Sequence, residues 1–324
     1  MRWDERIGRR VKLRDLNVLL AVVQWRSMAR AAEQLAVSQP VISKAISDLE
    51  HTLGVPLLDR DRRGIEPTAY GRALLSRSVA AFDELRQAVK ELEFLANPTT
   101  GEVRIAAAAA MVDSLLPAVI ARVYRRHPKF VIQVKETLAG AALYAELRER
   151  KVDFVMGRIL QPLDDKDLSQ EMLFDDPLFV VAGRDNALAR KRNITLANLV
   201  HEPWMMPPAE AVGGLIRETF REAGLSPPEP VIVSTSLSMY FALLNSGPFL
   251  AMMPRSVLTF TPESQTIRPL SVKLPVKSRP VGLVTLKART LSPAAQLFIQ
   301  TLRETMRPLT REGRSRSRPE RKRA

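Results

Sequence analysis

The segment from Arg26 to Leu53 constrains the fold of this chain most, because it predicts two short amphipathic helices joined by a tight turn. In its first half, small and apolar residues recur at steps of three and four, at Met28, Ala31, Ala32 and Leu35. The predicted turn is Ala36-Val37. Ser38 follows as a cap whose hydroxyl can accept from free backbone donors, and Pro40 is tolerated in the first turn of a second helix. This spacing favours a helix-turn-helix, although ordinary helical bundles also contain it.

The second predicted helix starts at about Gln39 and has two distinct faces. Its apolar stripe consists of Ile42, Ala45, Ile46, Leu49 and Leu53. The other side is uncharged or basic, as is required of a helix that enters the major groove of double-stranded DNA. We therefore interpret six residues as candidates for DNA binding: Ser38, Gln39, Pro40, Ser43, Lys44 and Ser47.

The residues from Leu57 to Thr68 predict a hairpin wing, because two short extended pieces flank an arginine-rich turn. Arg62 and Arg63 can lie along phosphates or enter the minor groove, which would add affinity independent of base sequence. Arg60 can instead pair with a neighbouring acid. For each single arginine, a solvated surface charge is an equally good interpretation.

Two strings place these features in a fixed order, namely S-Q-P-V-I-S-K-A-I-S-D-L-E-H-T-L-G-V-P-L-L-D-R and then E-P-T-A-Y-G-R-A-L-L. This order closely resembles the N-terminal domain of LysR-type transcriptional regulators, over Leu13 to about Leu95. The chain departs from that family at Leu58, where Phe is frequent, and at Trp25, where a small or polar residue is more usual. The resemblance implies a sequence-specific regulator of transcription that binds promoter DNA and can contact RNA polymerase.

A long helix is predicted from Tyr70 to Ala96, after the wing. Apolar residues recur in it every seven positions, in one series at Leu75, Phe82, Val89 and Ala96 and in a second at Leu85 and Leu92. Ser78 interrupts the second series. Such a seam can pair with the same helix of a second copy, so we expect a homodimer or homotetramer, with packing inside one chain as the alternative.

Length and composition bound the remaining possibilities. A chain of 324 residues suits two or three domains, and no apolar run approaches the length of a membrane span. Asp4, Glu5 and Asp15 interrupt the signal-like leader, so we expect a cytoplasmic protein with no membrane partner. The chain has no cysteine. Its three histidines lie far apart in the sequence and have no neighbour at metal-ligand spacing. The sequence therefore predicts no metal site, no other cofactor and no catalytic residues.

Beyond a predicted hinge at residues 97–101, short apolar strands alternate with helices, which is typical of parallel α/β architecture. The predicted strands are Val103–Ala107, Val131–Lys135, Phe154–Met156, Leu178–Ala182, Val231–Val233, Leu250–Met253 and Val281–Leu286. The predicted helices are Leu116–Tyr124, Leu143–Arg150, Leu215–Ala223, Met239–Leu244 and Pro293–Met306. The last strand and helix can return to the first lobe, with crossings at Asp175-Asp176-Pro177 and Lys277-Ser278-Arg279.

These patterns predict a domain order, which we give by residue number. An N-terminal extension (1–12) precedes the winged helix-turn-helix (13–70), the linker and dimerisation helix (71–96) and the hinge (97–101). An α/β domain of two lobes then occupies 102–306, with lobe I at about 102–176 and 278–306 and lobe II at about 177–277. A basic disordered tail (307–324) ends the chain.

The two-lobed arrangement resembles the effector-binding domain of the same regulator family, which is similar to a periplasmic binding protein. The resemblance implies that a small molecule binds in the cleft between the lobes. Family alignment places there Ala110, Met111, Thr137, Gly140, Arg158, Met206, Ser234, Thr235, Ser236 and Phe249. Ala110 and Gly140 stand where many relatives carry hydroxyl groups, so ordinary carboxylate capture is not expected from them.

Arg158 is predicted just beyond a strand end, where its guanidinium would suit a carboxylate or vicinal hydroxyls. A structural salt bridge across the cleft is an equally good interpretation. Ser234, Thr235 and Ser236 can cap the helix that follows them, whether or not they also bind a ligand. The string V-D-F-V-M-G-R, together with H-T-L-G-V-P-L-L-D-R, resembles the family branch with regulators of galactose-binding proteins and of protocatechuate breakdown. This resemblance implies a sugar or an aromatic acid as effector.

The formal net charge of +14 is concentrated at the C-terminal end, where residues 303–324 carry nine Lys or Arg and three Asp or Glu. The residues from Arg311 to Ala324 lack apolar periodicity, so this tail can contact DNA through electrostatics or remain a solvated end. The charge makes a nonspecific DNA-binding protein the nearest alternative function. A second alternative is a two-lobed binding protein or enzyme with an assembly helix, but no Walker, G-x-G-x-x-G or G-x-S-x-G motif supports chemistry.

Overall fold

The computed structural model describes residues 10–61, 64–137, 141–160, 163–275, 278–307 and 309. The chain divides into two compact units, residues 1–87 and 88–324. This division falls inside the long helix that the sequence predicts. No helix in the described ranges is both long and apolar enough to cross a membrane.

Three helices and a hairpin begin the first unit: α1 (Leu13–Trp25), α2 (Met28–Gln34), α3 (Gln39–Leu53), β1 (Leu58–Asp61) and β2 (Gly64–Pro67). The core lies between the helices, because Leu19 of α1, Ala31 of α2 and Ile46 of α3 are all completely buried. The two strands are antiparallel, with Leu58 opposite Pro67. The predicted helix-turn-helix and wing are therefore confirmed.

The turn between α2 and α3 depends on backbone conformation. Ala36 has a φ of 53°, and the Val37 N–H donates to the Ala32 carbonyl. The prediction that the Ser38 hydroxyl caps α3 was wrong, since it makes no capping hydrogen bond within the described structure. An N-cap side chain binds the second or third N–H of its helix, and Pro40 occupies the second position without one. The third, that of Val41, donates to the Ser38 carbonyl.

The wing is fixed to α3 and to the next helix, α4 (Ala69–Ala96). The Glu50 carboxylate on α3 accepts from the Leu57 N–H at 2.7 Å. The Thr68 hydroxyl accepts from the Gly71 N–H at the start of α4. A methyl group on Gly71 would lie 2.1 Å from the Leu57 carbonyl oxygen, so only glycine allows α4 to approach this closely.

The second unit contains two five-stranded sheets that define two lobes. Lobe I has the strand order β4-β3-β5-β12-β6, from β3 (Thr100–Ala107), β4 (Lys129–Glu136), β5 (Phe154–Arg158), β6 (Leu168–Asp175) and β12 (Pro280–Leu286). Lobe II has the order β11-β7-β10-β8-β9, from β7 (Leu178–Gly183), β8 (Trp204–Met206), β9 (Ile232–Val233), β10 (Leu250–Pro254) and β11 (Ile267–Pro269).

Seven helices accompany these sheets in the described part of the second unit. They are α5 (Ala109–Asp113), α6 (Leu115–Arg126), α7 (Ala141–Arg148), α8 (Gly214–Glu222), α9 (Leu237–Ser246), α10 (Arg255–Phe260) and α11 (Pro293–Thr305). Short 3-10 turns lie at Ala187–Arg190, Leu196–Leu199 and Pro262–Thr266, and an irregular turn at Ala209–Gly213 precedes α8. In lobe I, α6 and α11 cover one face of the sheet and bury Val119 and Phe298 there, while α7 covers the other with Leu147.

The parallel prediction holds for three neighbouring strands at one edge of each sheet but not for the other strands. β3 is parallel to β4 and β5, and β8 is parallel to β9 and β10. β12, which returns from lobe II, runs antiparallel to β5 and β6, and β7 runs antiparallel to β10 and β11. Both sheets are therefore mixed. The strand that follows each crossing, β7 in lobe II and β12 in lobe I, runs antiparallel to its neighbours because the chain enters the sheet from the cleft.

The two predicted crossings lie where the chain passes between the sheets. Asp175-Asp176-Pro177 joins β6 to β7, and Ser278-Arg279 precedes β12, while Lys277 lies outside the described residues. The predicted hinge at residues 97–101 was too long by two residues, since β3 already begins at Thr100. A methyl group on Gly101 would lie 2.7 Å from Ala294 of α11, so this strand end is packed rather than free.

Candidate functional site

The outward face of α3 carries the residues that the sequence predicts for DNA binding. Five of the six are exposed, while Ser43 is partly buried. On the opposite side Ile42, Ile46 and Leu49 are at most 1% exposed. Because the inner face is used entirely for packing, the outer face is free to contact a partner.

The wing lies beside this helix in the same unit. β1 and β2 pair in full, from Leu58 opposite Pro67 to Asp61 opposite Gly64. The predicted phosphate contacts Arg62 and Arg63 lie outside the described residues. Arg26 forms an ion pair with Glu66 of β2 at 2.8 Å. Both side chains are mostly exposed, and such pairs contribute little to stability.

In the second unit a cavity of about 270 Å³ separates the two lobes, and we call it the inter-lobe cavity. Lobe I contributes Ala108, Ala109, Ala110, Met111, Glu136, Thr137, Arg158 and Val281 to its wall. Lobe II contributes Pro207, Ala211, Val212, Ser234, Thr235, Leu237, Tyr240, Met252, Met253 and Pro254. The cavity lies at the carboxyl ends of β3, β5, β8 and β10, where ligands bind in α/β folds.

Six predicted cleft residues belong to this wall: Ala110, Met111, Thr137, Arg158, Ser234 and Thr235. Three others are not among its described residues. Met206 is buried in the core of lobe II, Phe249 packs against the core residues on the other face of that sheet, and the Ser236 hydroxyl caps α9 by accepting from the Met239 N–H. Gly140 lies outside the described residues.

The sequence missed several residues of the lobe II wall. Met252, Met253 and Pro254 end β10, so the rule that ligands bind at strand carboxyl ends could have found them. Tyr240 lies on α9 and donates its hydroxyl to the Ser234 carbonyl at 3.2 Å. Burial raises the pKa of this phenol, which therefore stays protonated and a donor at neutral pH.

The sequence predicts Arg158 just beyond the end of its strand, but in the structure Arg158 is the last residue of β5. The strand extends this far because Val281 of β12 pairs with Arg158. Its guanidinium donates to the backbone carbonyls of Asp176 and Arg279, both at 2.6 Å, and lies 3.2 Å from the Asp176 carboxylate. It thus joins the two crossings. Burial lowers the pKa of Arg158 and Asp176 opposes this, while a guanidinium remains charged in proteins.

Asp176 extends this network to α10. Its carboxylate accepts from the Ser256 N–H at 2.9 Å and from the Ser256 hydroxyl at 2.8 Å. Both Arg158 and Asp176 are nearly inaccessible to solvent. The arrangement is that of the structural salt bridge, one of the two interpretations that the sequence leaves open.

A second buried network lies in lobe I, away from the cavity. The Asp153 carboxylate contacts Arg289 at 2.9 Å and accepts from the Arg104 N–H at 2.8 Å. These contacts fix the segment before α11 to β3 and β5. In the described part of the chain, no three His, Cys, Asp or Glu residues form a group that could hold a metal ion.

Comparison with known proteins matches both units of the chain. Residues 13–72 match the family described as bacterial regulatory helix-turn-helix protein, lysR family, and residues 96–307 match the LysR substrate binding domain. The HTH-type transcriptional regulator GbpR of Azospirillum brasilense is 33% identical over 91% of this chain and 86% of its own length. The corresponding values for GalR of Pseudomonas putida are 30%, 90% and 74%.

Among solved structures, full-length OxyR of Pseudomonas aeruginosa aligns with a TM-score of 0.62 at 21% identity, covering 92% of this chain and 95% of the other. That likeness establishes the shared fold of a helix-turn-helix domain and a two-lobed domain. The two family matches cover most of the sequence, and the similarity to GbpR extends over nearly all of it. This chain therefore belongs to the LysR family of DNA-binding transcriptional regulators, with an effector-binding domain after its helix-turn-helix.

Proposed function

We propose that this regulator reads promoter DNA with the outer face of α3. The observation that carries this proposal is a helix with a fully packed inner face and an exposed outer face that has Gln39, Ser43, Lys44 and Ser47 as hydrogen-bonding side chains. Such side chains can donate to or accept from base edges in the major groove. Ser38 and Pro40 at the start of α3 would approach the backbone of the DNA, and Arg62 and Arg63 would add phosphate contacts.

Reading a symmetric operator requires two copies, and we propose that α4 joins them. Leu85, Val89 and Leu92 lie on one side of α4 and are 47%, 53% and 66% exposed, so each leaves apolar surface uncovered. We name these three residues the α4 stripe. Burial against the same stripe of a second copy would give a homodimer, which could assemble further into a homotetramer.

The inter-lobe cavity would bind the effector. A ligand can change the arrangement of lobes and subunits only if it binds one arrangement more tightly than another. The result would be a change in half-site spacing, DNA bend and access for RNA polymerase. We infer that the protein acts in the cytoplasm, as a regulator that binds its ligand without transforming it.

Competition between specific and random DNA tests this function. The purified protein would be titrated onto a labelled fragment from upstream of its own gene, with excess random competitor at near-physiological salt. We expect the complex to persist, because a specific site is bound more tightly than random DNA by several orders of magnitude. Complete loss of the complex under competition would favour the alternative of a nonspecific DNA-binding protein.

A further inference from the structure

The inter-lobe cavity is small enough to limit the size of its ligand. Its volume is about 270 Å³. Because an engineered protein cavity of about 150 Å³ admits benzene, this one has room for a single ring with short substituents. Size alone does not separate an aromatic compound from a monosaccharide. The chemistry of the wall does.

Most of this wall is apolar and contains three methionines. Met111 comes from lobe I, while Met252 and Met253 come from lobe II, together with Leu237 and Val212. Thioether groups make favourable contacts with aromatic rings. A sugar would have to bury several hydroxyl groups here, and each one left without a partner costs about 1–3 kcal/mol.

The wall offers few hydrogen-bonding groups to a ligand. The Ser234 hydroxyl accepts from the Ser236 N–H at 3.1 Å and can still donate, while the Tyr240 hydroxyl donates to a carbonyl and can still accept. The hydroxyls of Thr137 and Thr235 have no hydrogen-bond partner among the described residues. The Thr137 and Thr235 hydroxyls could therefore satisfy one or two polar groups on a ligand, and Ser234 and Tyr240 could each add one further bond.

Among the described wall residues, no positive charge is available to a ligand. Arg158 is the one Lys, Arg or His among the described wall residues, and it is committed to Asp176 and the carbonyls of both crossings. Glu136 adds a negative charge. A carboxylate would lose its hydration here without gaining a counter-ion.

We propose that the effector is an uncharged compound of one aromatic ring with one or two hydroxyl or amide groups. The ring would contact Met111, Leu237 and Met252, and its polar groups would bond to Thr137 and Thr235. This inference rests on the proposed function, which makes the cavity the effector site. It departs from the sugar or aromatic acid that the sequence resemblance implies.

Matched probes test the class directly. Isothermal titration calorimetry of the full chain would compare benzyl alcohol and benzamide, which are uncharged, with benzoate and D-galactose. We expect at least one uncharged probe to bind at least about tenfold more tightly than benzoate, because only the acid must bury a charge, and we expect no binding of galactose. Tighter binding of benzoate or galactose, or no binding of either uncharged probe, would overturn the inference.

A pair of valine variants locates the bound probe. Thr235→Val removes one wall hydroxyl at nearly constant volume and should weaken benzyl alcohol or benzamide binding about three- to tenfold. Thr285→Val removes a hydroxyl from β12 away from the wall and should leave binding unchanged. Both variants should keep the melting temperature of the unaltered chain. Equal binding by all three proteins would place the probe elsewhere and contradict the inference.

The DNA complex separates this inference from the function on which it rests. The same probes would be added to the complex with the promoter fragment. If benzoate or galactose alters the complex and the uncharged probes do not, the ligand class is wrong while effector control stands. If an uncharged probe binds the cavity but leaves the complex unchanged, the ligand class stands and effector control of DNA binding fails.

Discussion

Substitutions at Ser43 and Lys44 of α3 should affect the specificity of DNA binding more than its overall affinity. Lys44 is exposed and Ser43 half-buried, and both can bond to base edges. We expect Ser43→Ala or Lys44→Ala to lower the preference for operator over random DNA about ten- to hundredfold, since removing a side chain that bonds to a base costs about 1–3 kcal/mol. Fluorescence anisotropy with both DNAs measures this ratio.

A charge-matched variant controls for electrostatics. Lys166→Ala removes one positive charge from an exposed position of the second unit, outside the reading helix. It should leave the ratio of operator to random binding unchanged. If Lys44→Ala lowers the affinity for operator and for random DNA by the same factor, Lys44 contacts phosphate rather than a base, and our assignment of its role is wrong.

The Arg158–Asp176 pair is expected to stabilise the second unit through its burial. Asp176→Ala would leave the guanidinium buried without its carboxylate and should lower the free energy of unfolding by about 3–5 kcal/mol. Urea unfolding followed by the fluorescence of Trp204, which is the one Trp of residues 88–324, reports on this unit.

An exposed ion pair provides the comparison for that measurement. Glu171 and Arg303 lie 2.7 Å apart, closer than the buried pair, but both side chains are about half exposed. Glu171→Ala should therefore cost no more than about 1 kcal/mol. A loss in Asp176→Ala as small as this would contradict the stabilising role of the buried pair.

At the scale of elements, α4 is expected to assemble the protein through the α4 stripe. A leucine buried on pairing contributes about 1.5–3 kcal/mol, and a dimer loses two copies in Leu92→Lys. We therefore expect this variant to sediment as a monomer at concentrations where the unaltered chain is a dimer. Operator affinity should fall with it, because a single copy binds one half-site.

The neighbouring residue gives a control of equal charge. Glu91→Gln raises the net charge by one, as Leu92→Lys does, because it removes a negative charge from the same helix. Glu91 points about 100° away from Leu92 around the helix axis. It should sediment as the unaltered chain does. A dimer that survives Leu92→Lys would mean that the copies join through another surface.

Long and regularly patterned elements could be predicted from the sequence, while several short or irregular ones could not. α3 was predicted because its buried residues recur with helical period, and β12 because it is a continuous apolar run. β6 was missed since it mixes polar and apolar residues without strict alternation. β8, β11, α5 and α10 span only three to six residues, too few to establish a period.

The seven-residue series of α4 and the inter-lobe cavity also show what sequence patterns could not predict. Leu75 belongs to a predicted seven-residue series, yet it packs against the core of the first unit and does not stay free for a partner. The partners of Arg158 lie 18 and 121 residues away in the sequence. Contacts of this kind depend on how the crossings are folded, which periodicity does not report.

For the whole molecule, we expect a ligand to act on DNA binding through α4. Its last turns belong to the second unit, where Lys90 pairs with Glu102 at 2.7 Å and the ring centroid of Phe94 lies 6.4 Å from that of Phe130. The end of α4 is thus fixed to β3 and β4 of lobe I. We expect a movement of lobe I to be carried along α4.

The basic C-terminal tail affects the charge of the whole chain. Residues 311–324 contain seven Lys or Arg and two Glu, and they account for much of the net charge of +14. Such a segment can attract DNA through its charge without distinguishing one sequence from another. Its contribution should therefore appear in the salt dependence of binding.

Deleting residues 311–324 should lower the affinity for operator DNA and for random DNA by the same factor. Each phosphate that the tail no longer neutralises makes the slope of log K against log salt shallower by about 0.9, because fewer counterions are released on binding. Anisotropy titrations at several salt concentrations, with both DNAs, measure the slope and the specificity ratio together. An unchanged slope would identify the tail as a solvated end. A changed ratio would mean that the tail takes part in reading the sequence, and the separation between a reading helix and a nonspecific tail would then fail.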